Sequence, residues 1–74
     1  MRKKPQKREY NVIIERDSDG YYVASVPELP GCHTQAKSLD VLMKRIREAV
    51  DVYVEAQDDS SESFEFIGVQ RIAI

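Results

Sequence analysis

Residues 17–35 read DSDGYYVASVPELPGCHTQ, and the fold turns on them. Asp17-Ser18-Asp19-Gly20 predicts a tight reversal, because glycine takes positive φ freely and aspartate side chains bond nearby backbone. Tyr21 to Val26 is rich in aromatic and β-branched types and predicts a strand. Pro27-Glu28-Leu29-Pro30-Gly31 ends it. The two prolines lack an N–H and fix φ, and Gly31 permits a sharp turn.

The flanking runs follow from this centre. Glu9 to Arg16 predicts a first strand, with Tyr10, Val12 and Ile14 on one face and Asn11, Ile13 and Glu15 on the other. The turn at 17–20 then makes a hairpin with Tyr21 to Val26. Both faces of the second strand are partly apolar, which predicts a helix on one side and a partner or second subunit on the other. Cys32 to Gln35 predicts a short third strand. Ser38 has the character of a helix N-cap, and Asp40 in the first turn complements the helix dipole. The helix is expected from Leu39 to about Gln57. Leu39, Leu42, Met43, Ile46, Ala49, Val50, Tyr53 and Val54 recur at spacings of three and four and form its apolar stripe. Val41 and Val52 fall off that stripe.

Residues 58–63, DDSSES, predict a solvated acidic connection. Residues 64–74, FEFIGVQRIAI, predict a last strand, with Gly68 marking a bulge or a close backbone approach. A terminal strand this apolar is not expected to stay a bare edge, and pairing at a subunit interface is the expected solution. The organisation expected is a disordered basic arm at 1–8 and one α+β domain over 9–74, ordered β-β-β-α-β.

The bulk composition bounds the function. A chain of 74 residues makes one domain, and a domain this small buries only about 60% of its unfolded surface. One cysteine makes no internal disulfide, and no four-ligand Cys/His spacing is present to hold zinc. Without such staples, self-association as a dimer or tetramer is expected to add stability. No apolar run approaches the roughly 18 residues of a membrane span, and no signal-type apolar core follows the basic start, so a cytoplasmic protein is expected. Five of the eleven basic residues fall in the first eight positions. From Glu9 onward six basic residues stand against thirteen acidic ones, a net of −7. Such a body repels phosphate and attracts a basic partner. The basic arm keeps weak nucleic-acid contact as a secondary alternative, though it offers no aromatic reading surface.

No active site is expected. Cys32-His33 is the one nucleophile–base pair of the usual type, but strand neighbours point to opposite faces. Asp17 and Asp19 are accounted for by the turn and Asp51 by a wet helix face. No calcium-loop or phosphate-loop pattern is present. Neither a cofactor nor a metal is expected.

The run DxDGYYVASVPELPGCHTQ, followed by a short polar link and the helix LDVLMKRIREAVDVYVEA, resembles the HicB family of type II antitoxins. The tail FIGVQRIAI is similar to the final strand of short members. The resemblance implies a partial RNase H-like sheet without the catalytic carboxylates of true RNase H enzymes. It implies a partner as well: HicA, a small basic RNA-cleaving toxin with a double-stranded-RNA-binding-like fold and a catalytic histidine. Full-length members carry a C-terminal DNA-binding domain. The sequence here stops at the expected last strand, so operator binding is not expected. Partner contacts are expected from Tyr21 and Tyr22 on the hairpin and from Leu29, Cys32 and His33 around the turn, because aromatics and exposed loop residues anchor interfaces. The alternative is a stand-alone oligomeric binding module.

Overall fold

The structure, a computed structural model, describes residues 9–57 and 64–74. The expected basic arm at 1–8 and acidic connection at 58–63 lie outside the described residues. Three strands, β1 (Ile13–Arg16), β2 (Tyr22–Ser25) and β3 (His33–Ala36), precede one helix, α1 (Leu39–Ala56). The strands form an antiparallel sheet in the order β1-β2-β3. This is the α+β arrangement and the β-β-β-α order that the sequence implies.

Each connection has a local cause. Between β1 and β2, the Gly20 N–H donates to the Asp17 carbonyl (3.1 Å) and the Asp17 N–H to the Tyr21 carbonyl (2.9 Å). Asp17 Oδ1 accepts from the N–H groups of Asp19 and Tyr21. Gly20 sits at φ 89°, the left-handed position of a three-residue hairpin loop. Between β2 and β3 two turns follow one another. The Leu29 N–H donates to Val26 and the Cys32 N–H to Leu29, both at 3.0 Å. In the second turn Pro30 precedes Gly31 at φ 84°, the proline-then-glycine order of a type II turn.

Ser38 caps α1, its hydroxyl accepting from the Val41 N–H at 3.3 Å. Ser38→Ala is expected to lower stability by about 1 kcal/mol. Urea unfolding followed by circular dichroism checks this, with Ser38→Asp as the variant that keeps the cap.

The register puts Ile14 opposite Ala24, Ala24 opposite Thr34, and Tyr22 opposite Ala36. These residues share the face that α1 partly covers. The core on that face joins Ala24, Val26, Leu29, Cys32 and Ala36 to Leu42 and Ile46 of the helix. Tyr10, Val12, Tyr22, Ala49, Val50, Tyr53 and Val54 pack around it, partly buried. At roughly 1.5–3 kcal/mol for each large aliphatic side chain buried, so few residues leave a thin margin. The stripe read from the sequence is therefore the packed one, except that Leu39 and Met43 at its N-terminal end stay 46% and 40% exposed. The helix lies over β2 and β3 rather than β1, and Met43 has no sheet beneath it. No helix among the described residues is long and apolar enough to cross a membrane.

Two expectations need correcting. The first strand starts at Ile13 rather than Glu9. The Asn11 N–H is turned to the Glu28 side chain, accepted by Oε1 at 3.1 Å and Oε2 at 3.3 Å, and so makes no ladder bond. The last strand is likewise not formed: residues 64–74 carry no strand pairing among the described residues. A strand needs an edge to bond to, and among the described residues the segment bonds along none.

Candidate partner interface

The five residues expected at a partner contact divide between the two faces of the sheet. Residues directly opposite in an antiparallel pair share a face. Tyr21, Val23, Ser25, His33, Gln35, Ile13 and Glu15 therefore belong to the face away from α1. Tyr22, Leu29 and Cys32 belong to the other side, where Leu29 and Cys32 are core residues at 3% and 5% exposure. Their role in this fold is to pack the turn. Tyr21 and His33 share the open face but stand at opposite ends of it, since His33 lies opposite Ser25, four residues from Tyr21. At about 3.4 Å per residue, roughly 13 Å separates them.

Two cations sit over the tyrosine rings. The Lys37 Nζ lies 4.8 Å from the centre of the Tyr21 ring, and the Arg16 guanidinium 5.8 Å from that of Tyr22. Each pair holds an amphipathic ring in place while its hydroxyl end stays available. The open face thus presents a positioned Tyr21, the half-buried Ile13 and Val23 and the exposed Glu15 and His33.

Cys32 and His33 do not converge. The thiol is buried and burial pushes its pKa up, which holds it in the protonated, poorly nucleophilic form. His33 is exposed on the opposite side of the strand. Asp17 uses its carboxyl on loop N–H groups, and no three His, Cys, Asp or Glu residues gather as a metal site among the described residues.

Glu28 and Arg45 were not singled out by the sequence reading, and Tyr53 was read only as part of the apolar stripe of α1. Glu28 is 2% exposed and accepts from both the backbone N–H and the side-chain amide of Asn11, the latter at 3.0 Å. Its signal was an acid held between two prolines inside an apolar run. The Tyr53 hydroxyl donates to the Pro30 carbonyl at 2.8 Å, tying α1 to the proline turn. Arg45 donates to the Gln35 carbonyl at 2.9 Å, from a position that reads as plain solvent-facing charge.

Comparison with known proteins places this chain beside a described family. A family model described as "HicB_like antitoxin of bacterial toxin-antitoxin system" matches residues 10–71. A UPF0150 protein of Archaeoglobus fulgidus is 54% identical over 65 residues, spanning 88% of this chain and 93% of the relative. A UPF0150 protein of Synechocystis is 43% identical over 68 residues, spanning 92% and 97%. A third, of Thermoplasma acidophilum, is 40% identical over 65 residues, spanning 88% and 94%.

Proposed function

Because the chain belongs to the HicB-like antitoxin family of bacterial toxin–antitoxin systems, we propose that it neutralises a HicA-type RNA-cleaving toxin by covering it in a protein–protein complex. The observation that carries this reading is the family match over residues 10–71. Charge supports it. The net of −7 from Glu9 onward suits a basic partner. Opposite charge speeds encounter and discriminates against phosphate-bearing competitors. The contact surface in this reading is the open sheet face, with Tyr21 as the aromatic anchor and His33 at its far end. Masking needs no chemistry from this chain, so the protein acts as a cytoplasmic binder and not as an enzyme. It also self-associates, because its core is thin and large apolar side chains such as Ile67 and Val69 stand exposed.

A tagged chain drawn from its own cell lysate tests the reading. A small basic ribonuclease recovered near one-to-one is expected, with its RNA cleavage suppressed in the complex. Recovery of the chain with only itself overturns the antitoxin reading and favours the stand-alone oligomer. Tyr21→Ala is expected to weaken capture by tenfold or more, about 1.4 kcal/mol or greater, without changing the circular dichroism of the isolated chain.

A further inference from the structure

We infer that residues 64–74 of one copy form a fourth strand on the outer edge of β1 in a second copy, and that the exchange is reciprocal. This deepens the self-association stated above and is independent of the toxin.

The sheet has two edges, β1 and β3. The Val26 N–H bonds to the Cys32 carbonyl, and antiparallel bonding alternates along a pair. Val23 and Gln35 are therefore a non-bonded pair, and the Gln35 carbonyl points outward. Arg45 already donates to it, which blunts that edge. On β1 the Asp17 N–H bonds to Tyr21, so by the same alternation Ile14 and Arg16 turn their N–H and C=O groups outward. Nothing among the described residues pairs with them.

A groove runs between the lead-in to β1 and the helix. Tyr10 and Val12 form one wall, and Met43, Val50 and Val54 the other. A strand added to β1 would drop alternate side chains into this groove. The occupant is present in the same sequence. Ile67, Val69 and Ile72 are 84%, 77% and 72% exposed, and eleven extended residues reach about 36 Å. At its start the tail is held to the domain by the Phe64 N–H, which donates to the Glu28 carbonyl at 3.4 Å. A free strand and a free edge on one chain complete each other in a two-fold pair.

Two measurements on the full chain test this. Light scattering is expected to give at least twice the 8.5 kDa chain mass. Val69→Pro removes a tail N–H without touching the core, and is expected to cut that mass at least twofold while the helical circular dichroism persists. In the second, a nitroxide is attached at Ala73→Cys in an unlabelled copy, Cys32 being buried. That copy is unfolded and refolded together with a ¹⁵N-labelled unmodified copy. The Ile14 and Arg16 amides of the labelled copy are expected to broaden. An unmodified chain at 8.5 kDa, an oligomer indifferent to Val69→Pro, or sharp β1 amides would each overturn the exchange. None of these outcomes bears on toxin capture, which is read separately.

Discussion

Leu42→Ala is expected to destabilise the domain by about 3 kcal/mol, within the range for buried leucine truncations. Leu42 is fully buried, at 0% exposure, in one core cluster with Ile46 of the helix and Ala24 and Ala36 of the sheet. Alanine removes the transfer energy of the lost atoms and leaves a cavity that the surrounding core relaxes into only partly. A chain of 74 residues has a total stability of about 4–11 kcal/mol, so this one change takes a large share of it. Urea unfolding at fixed chain concentration measures the effect, since association adds to apparent stability. Leu42→Met keeps the volume and is expected to lose less than about 1.5 kcal/mol. Val52→Ala, at a position 67% exposed on the same helix, is expected to change stability by no more than about 0.5 kcal/mol. Equal losses at 42 and 52 would show that the helix does not present this face to the sheet.

Glu28→Ala is expected to lose about 2–3 kcal/mol, the scale for a buried group that accepts several hydrogen bonds. Its carboxyl oxygens hold the backbone N–H and the side-chain amide of Asn11, seventeen residues away in sequence. Losing them frees the lead-in to β1, with Tyr10 and Val12, which pack against the core. Hydrogen exchange at the Asn11 amide is expected to accelerate at least tenfold in Glu28→Ala. Glu28→Gln retains one side-chain acceptor and most of the packing, and is expected to recover about half of the lost stability. If Gln and Ala behave alike, the hydrogen bonds to Asn11 are not what stabilises this corner.

Where local chemistry decided the structure, the sequence was readable. Ser38, Asp17 with Gly20, and Pro30 with Gly31 each act through backbone within four residues, and each is found where its chemistry requires. The apolar stripe of α1 was readable for the same reason, since its period depends on the helix alone. Two things were not readable. The alternation of Tyr10, Val12 and Ile14 suits a strand, but a carboxyl seventeen residues on takes the Asn11 N–H out of the ladder. Apolar character in 64–74 reports that the segment needs cover and says nothing of which edge supplies it. At the candidate interface, the motif drew attention to Leu29 and Cys32 because a proline-rich turn reads as exposed. The turn instead folds inward, with the Tyr53 hydroxyl closing over the Pro30 carbonyl. Tyr21 and His33 keep surface to offer because they fall on the odd-numbered face of their strands.

The sequential order of the sheet has a consequence for the timing of events during synthesis. Each of β2, β3 and α1 packs on an element made just before it, joined by loops of a few residues. Contacts so close in sequence favour rapid, unimolecular folding of the domain as a unit. Any partnership between chains is a second-order step and waits on concentration. Under the strand exchange proposed above, a newly made copy would pass through a folded interval with its apolar C-terminal segment still accessible to proteases. The length of that interval falls as the cell accumulates more of the protein. Lifetime would then rise with abundance, a feedback that requires no dedicated regulator.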